Sequence, residues 1–163
     1  SHSEITSVLH RLGFSDVSGI AFNPKVVRGP FNDRVKYSVG DFLRTPFPGG
    51  SFAAITSISA IEHGNVVDTL LAEVNRLLRP GGYFVGSTDY WPEKVDTTGI
   101  EMFGLPWKIF SAPELEAFFA AADKLGLRSP GPVDYSAREQ VISCEGKRYS
   151  FAWFVLQKRL EGA

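Results

Sequence analysis

Apolar residues recur along this chain with two different periods, and the alternation between them is what the sequence states most plainly. Ile5, Val8, Leu9 and Leu12 fall at helical spacing between Glu4 and Leu12, and Gly13 stands where a left-handed C-terminal stop belongs. Val17 to Phe22 is a short apolar run ending at Asn23-Pro24, and Val35 to Val39 repeats the pattern before Gly40-Asp41. Each predicts a strand that opens into a loop. After the turn-forming stretch Thr45-Pro46-Phe47-Pro48-Gly49-Gly50, residues Phe52 to Ile61 are continuously apolar or small, the pattern of a central strand buried on both faces.

Val66, Val67, Leu70, Leu71, Val74, Leu77 and Leu78 trace one face of a strongly amphipathic helix. Arg79-Pro80-Gly81-Gly82 stops it, and Tyr83 to Ser87 predicts the following strand. Ser111 and Glu114 have capping-box spacing and open a helix carrying Leu115, Phe118, Phe119, Ala122 and Leu125, with Gly126 as its stop. Val133 to Ser136 predicts a weak strand and Tyr149 to Gln157 a strong one, so the tail reads as an antiparallel hairpin. Helices alternating with buried strands specify an α/β sheet with helices on its faces, and ligands are expected beyond the carboxyl ends of the strands.

The chain has 163 residues, 44% hydrophobic and 21% charged, enough for one globular domain spanning 1–163. Seventeen Lys and Arg against 18 Asp and Glu leave a formal charge of −1, which supplies no electrostatic footprint for nucleic acid or an anionic membrane. Cys144 is the single cysteine, and no Cys/His cluster has zinc spacing. A disulfide scaffold and a structural metal are therefore not expected, and a reducing cytoplasm is. No apolar run approaches the ~18 residues of a membrane span, and the N-terminus does not read as a signal peptide. The opening Ser-His-Ser, with Met102 the only methionine, reads as a processed start, a tag scar or the cut edge of a longer protein.

Five pieces occur in a fixed order: Val17-Ser-Gly-Ile-Ala-Phe-Asn-Pro24, Gly40-Asp41, Pro46-Phe-Pro-Gly-Gly-Ser-Phe52, Ile61-Glu-His63 and Asn75-Arg-Leu-Leu-Arg-Pro-Gly-Gly82. Together they resemble the class I S-adenosylmethionine-dependent methyltransferases, in particular the small-molecule group described as type 11. The match is specific from the first helix to about Ser87 and looser to Lys158. It implies a Rossmann-like sheet, mostly parallel with an antiparallel C-terminal strand, and S-adenosylmethionine as cofactor.

The resemblance places Asp41 on the adenine amine, with Phe42 and Leu43 beside the ring, and Ser57 and Ser59 on the strand passing under the cofactor. His63 would face cofactor or acceptor, and its ordinary pKa of ~6.5 suits it to take a proton from a substrate hydroxyl. Tyr90, Trp91 and Trp107, with Phe110 nearby, would wall the acceptor. A plainer reading stands beside each of these. Asp41 is also a good turn residue, Glu62 and His63 also suit a helix start, and the aromatic group also suits core filling beneath a long connection.

Departures from the family pattern are equally specific. The first strand and its glycine-rich turn are missing, because the chain opens directly in the first helix. Ala21 stands where an acid would hold the ribose, and Ala53 follows Phe52 where the family has Phe-Asp. A charged hydrogen bond worth ~1.5–3 kcal/mol is thereby lost unless Asn23 substitutes. A central strand cannot be removed without leaving orphaned N–H and C=O groups at ~1–3 kcal/mol each. An N-terminal piece, a strand from another copy in a homo-oligomer, or direct pairing of the flanking strands would answer that. Two functional readings follow: a methyltransferase acting on a small-molecule acceptor, and a non-catalytic methyltransferase-like domain serving binding or assembly. A nicotinamide oxidoreductase is disfavoured, since no Gly-x-Gly-x-x-Gly follows a strand.

Overall fold

The computed structural model describes residues 5–64 and 66–160, in two compact units, Ser1–Pro46 and Phe47–Ala163. The opening Ser-His-Ser and Glu4 lie outside the described residues.

In the first unit, α1 (Ile5–Arg11) stops at Gly13, whose φ of +93° lets its amide return to the His10 carbonyl at 3.0 Å. β1 (Ser18–Ala21) and β2 (Lys36–Val39) pair in parallel, with Ser18 opposite Lys36 and Ala21 opposite Val39. A 3-10 turn, Pro24–Arg28, follows β1, and the Asn23 side chain caps it by accepting from Lys25 N at 2.9 Å. The Tyr37 ring lies so close to Gly29 that a Cβ there would sit 2.6 Å from it. Its hydroxyl is fixed between the Pro30 carbonyl, 3.0 Å, and the Thr6 hydroxyl, 2.8 Å.

The second unit runs β3 (Phe52–Ile58), α2 (Val67–Leu77), β4 (Leu78–Tyr90), β5 (Glu101–Met102), β6 (Leu105–Pro106), α3 (Ala112–Lys124), β7 (Leu127–Arg128), β8 (Ile142–Cys144) and β9 (Lys147–Lys158). Its sheet has the order β3-β4-β9-β7, with β8 paired to β9, and β5 and β6 form a separate hairpin. β3 and β4 are parallel, whereas β9 is antiparallel to β4 from Tyr83–Gln157 to Tyr90–Ser150. The expected α/β architecture of parallel pairs with an antiparallel C-terminal strand is the one observed.

The capping box forms as its spacing requires: Ser111 N and Oγ both donate to Glu114 Oε2, at 2.9 and 2.7 Å. α3 then meets the sheet through aromatic contacts. Phe154 of β9 stacks against Phe84, Phe118 and Phe119 at centroid distances of 5.4, 5.0 and 6.2 Å. Gly86 of β4 leaves room for that ring, since a Cβ there would lie 2.3 Å from Phe154 Cζ.

Three sequence expectations are corrected. Phe52 to Ile61 is not buried on both faces: the strand ends at Ile58, none of its residues is fully buried, and it forms the end of the sheet. Continuous apolar composition reports a capacity for burial, and among the described residues β3 pairs with β4 alone. Val133 to Ser136 is not a strand, because the Asp134 side chain accepts from Ser136 N at 2.8 Å and closes an Asx turn instead. β4 begins at Leu78 and not at Tyr83, with the Arg79-Pro80-Gly81-Gly82 stretch absorbed by a register shift between Phe52 and Ala54.

Candidate functional site

The carboxyl ends of β3 and β4 lie side by side in the second unit, and the segments that leave them bring polar side chains into a dry interior. β3 ends at Ile58 and is followed by Ser59, whose left-handed φ of +47° is held by its amide donating to the Ser87 carbonyl and hydroxyl, both at 3.2 Å. That turn delivers Ile61, Glu62 and His63 towards Thr88 and Asp89 at the end of β4.

Glu62 is only 2% exposed, and Thr88 Oγ1 donates to its Oε2 across a long 3.4 Å. Loss of solvent raises its pKa to about 8, and the Asp89 charge adds to the effect against the opposing pull of its own backbone amide and Thr88. Asp89 is raised too, chiefly by burial, while Trp107 and Tyr149 hydrogen bonds hold it down. Trp107 Nε1 donates to Asp89 Oδ2 at 2.8 Å. Burial and the neighbouring Asp89 charge push the Tyr149 phenol upwards.

His63 packs into the same cluster with Nε2 3.9 Å from Glu62 Oε1, and its Nδ1 is buried without a protein partner. Burial lowers its pKa, so the ring is neutral at physiological pH. Phe103, 85% exposed at the tip of the β5–β6 hairpin, meets the imidazole edge-on at 5.4 Å. The arrangement is therefore a neutral imidazole, a protonated carboxyl and a second carboxyl with two fixed donors. Such a set can accept, hold and release a proton away from water.

The remaining sequence-derived candidates fall in different surroundings. Ser59 is exposed, with its amide committed to Ser87. Tyr90 is core, its hydroxyl donating to the Tyr135 carbonyl, and Trp91 packs against the cluster of Trp107, Ile109 and Tyr149. Trp107 alone of the three aromatics both touches the polar cluster and lines a cavity. On sequence grounds Glu62 has no role apart from His63, and neither Asp89 nor Tyr149 is singled out. Asp89 follows the strand at Tyr83 to Ser87, a strand-end position that α/β chemistry uses, and this was its available signal. Nothing in the sequence brings Tyr149 next to it.

In the first unit, Asp41 uses Oδ1 to accept from Leu43 N at 2.8 Å, which leaves Oδ2 for a ligand. Phe42 and the exposed Phe22 form an edge-to-face pair at 5.3 Å. A carboxylate oxygen beside an apolar ring pair suits an adenine amine and its base. The ribose end is less complete: β1 ends in Ala21, and the Asn23 carbonyl is engaged in its cap, leaving the amide N–H groups as donors. These residues thus fit the adenine part of a nucleoside cofactor and offer one weaker contact to the sugar.

Among the described residues no group of three or more His, Cys, Asp or Glu is placed to hold a metal, and no helix is long and apolar enough to cross a membrane.

Comparison with known proteins points in one direction. The chain is 43% identical over 54 residues to the sterol 24-C-methyltransferase of Yarrowia lipolytica, covering 33% of this chain and 14% of that protein. Sterol 24-C-methyltransferase ERG6B of Gibberella zeae is 40% identical over 53 residues, or 32% and 14% of the two chains. The chain thus spans about one-seventh of the length of these relatives. In fold it is similar to geranyl diphosphate C-methyltransferase of Streptomyces coelicolor A3(2), solved with Mg2+, geranyl diphosphate and S-adenosyl-L-homocysteine. The TM-score is 0.67 at 19% identity, over 94% of this chain and 67% of that one. A family model described as "Methyltransferase domain" matches residues 2–86, more than half of the chain, which therefore belongs to the class I methyltransferases whose cofactor is S-adenosylmethionine.

Proposed function

We propose that this chain transfers a methyl group from S-adenosylmethionine to a small-molecule acceptor, with Glu62 and His63 managing the acceptor's proton. The observation that carries this reading is the Glu62–His63–Asp89 cluster at the carboxyl ends of β3 and β4, with both carboxyls buried and the imidazole partly so. Two carboxyls kept out of water have a cost in stability, and active sites are where such costs are found.

When bound, the cofactor supplies an electrophilic methyl on a sulfonium. Asp41 and Phe42 would hold its adenine part and Asn23 its sugar, all within the first unit. Methyl transfer depends mainly on alignment and on exclusion of water, so the chain's own residues act by positioning and by proton handling. His63 is kept neutral by burial, ready to accept a proton. Its Nδ1 is the nitrogen without a protein partner and takes the acceptor's proton, while Nε2 faces Glu62. Once Glu62 has ionised, it accepts from Nε2 and stabilises the charged ring. Trp107 and Tyr149 fix Asp89 behind this pair, and Phe103 shields the imidazole.

Calorimetry with S-adenosylhomocysteine tests the reading: binding in the micromolar range supports it, and no heat at millimolar ligand ends it. A second reading, a methyltransferase-like assembly domain without catalysis, is favoured by Ala21 at the end of β1 and by an edge of β3 that no strand among the described residues covers. Light scattering separates the two, since a monomer that binds S-adenosylhomocysteine contradicts the second.

A further inference from the structure

A cavity of about 230 Å³ adjoins the Glu62–His63 segment, and its wall includes Gly64, Lys94, Thr97, Thr98, Trp107 and Lys108. Cavity and segment are one hydrogen-bonded piece. Lys108 N donates to the Glu62 carbonyl at 2.9 Å, Gly64 N to Pro106 O at 2.8 Å, and Trp107 N to Ile100 O at 3.1 Å. A ligand in this cavity is thereby held in fixed register with the imidazole one residue from Gly64.

The charges in the wall are unevenly matched. Lys94 Nζ donates to both oxygens of Glu114, at 2.8 and 3.0 Å, and Ser111 donates twice more to Oε2 of that carboxylate. Lys108 Nζ stands 3.9 Å from Glu114 Oε1, beyond hydrogen-bond reach, and 5.0 Å over the Phe110 ring. Among the described residues it has no hydrogen-bond acceptor, although its side chain is only 34% exposed. Glu101 adds one carboxylate to the lining against the two ammonium groups. A half-buried ammonium with no hydrogen-bond acceptor among the described residues and only a 3.9 Å ion pair to Glu114, beside the Thr97 and Thr98 segment, is a place for an anion.

We propose that this cavity receives an anionic group of the methyl acceptor, a carboxylate or a phosphate, seated on Lys108. The inference rests on the reading that Glu62 and His63 serve the acceptor, and it narrows the acceptor to anionic small molecules. The volume suits such a group, being several times the roughly 30 Å³ that one water occupies.

The test is an amide NMR titration of the 15N-labelled chain at constant ionic strength, without cofactor, using inorganic phosphate, acetate and neutral glycerol in separate arms. Saturating shifts confined to Thr97, Thr98, Gly99 and Lys108 are expected with at least one anion and none with glycerol, and the stronger arm distinguishes phosphate from carboxylate. Lys108→Gln should weaken binding about fivefold or more, Lys108→Arg should restore it, and Lys124→Gln should leave it unchanged. Shifts scattered over the surface, equal response to glycerol, or undiminished binding in Lys108→Gln would overturn the proposal. Because no cofactor is present, failure here removes the anion subsite alone. Failure to bind S-adenosylhomocysteine removes the enzyme reading instead.

Discussion

Asp89 Oδ2 accepts the indole N–H of Trp107 at 2.8 Å, joining the end of β4 to the strand-like segment that follows β6 and tying a buried carboxyl to the aromatic core. Trp107→Phe keeps most of the ring volume and removes that donor. The unsatisfied carboxyl should reduce stability by about 1–3 kcal/mol in urea denaturation at neutral pH, with the Asp89 pKa rising further. An unchanged midpoint would mean that the bond contributes nothing.

Glu62 gives a pH-dependent stability of known sign. The folded chain keeps the Glu62 proton up to about 8, whereas the unfolded chain releases it near 4.5. Its burial therefore carries no ionisation penalty below pH 4.5, and a growing one as pH rises towards 8. In Glu62→Gln the penalty disappears. The stability of this variant relative to the parent should climb by roughly 1.4 kcal/mol per pH unit across that window and then level off. Denaturant midpoints across that pH range provide the measurement, and a pH-independent difference would refute burial as the cause.

Catalysis should follow the same ionisation. As Glu62 loses its proton, Nε2–H of His63 gains an acceptor and Nδ1 presents its lone pair, so the rate of methyl transfer should rise through pH 8. Glu62→Gln should flatten that limb. His63→Gln should lower kcat by ~10²–10⁴ without changing affinity for S-adenosylhomocysteine. A retained limb in Glu62→Gln assigns it to another group.

Cofactor affinity should depend on Asp41. Asp41→Ala removes a charged acceptor worth about 1.5–3 kcal/mol, so S-adenosylhomocysteine should bind about ten- to a hundredfold more weakly by calorimetry. The same change releases the Leu43 amide. A melting curve of the unliganded variant therefore accompanies the titration, and a loss of affinity without loss of folded signal identifies the ligand contact.

Gly86→Ala probes the core beneath the site. The new methyl would meet the Phe154 ring at 2.3 Å, and that ring is wedged between Phe84 and Phe118. Overpacking should cost about 1–3 kcal/mol. Phe154→Leu in the same chain should recover part of it, since the smaller side chain yields the space.

Short-range chemistry is legible in the sequence at several places, although the Asx turn at Asp134 reads there as a strand. Ser111 and Glu114 cap α3 because both partners lie within one turn, and Gly13 ends α1 because its backbone tolerates a positive φ. The five ordered motifs carried the family because spacing along a chain survives in one dimension. What escaped depended on distant partners. The depth of β3 is set by whether a strand lies along each edge, which an apolar run does not encode. Asp89 becomes a buried acceptor only because Trp107 and Tyr149 arrive from 18 and 60 residues downstream, so its role is fixed by the fold and not by its neighbours in sequence. Glu62 looked interchangeable with any carboxylate near a helix start. Its altered chemistry comes chiefly from the loss of water around it, with the Asp89 charge adding to the effect.

The flank of β3 that no described strand covers has a bearing on how the protein meets other extended chains. Among the described residues β3 pairs with β4 alone, and an edge left so, beside small side chains such as Ala53 and Ala54, is a template on which another extended polypeptide can be laid. A lysine introduced at Ala53 should weaken any self-association through this seam.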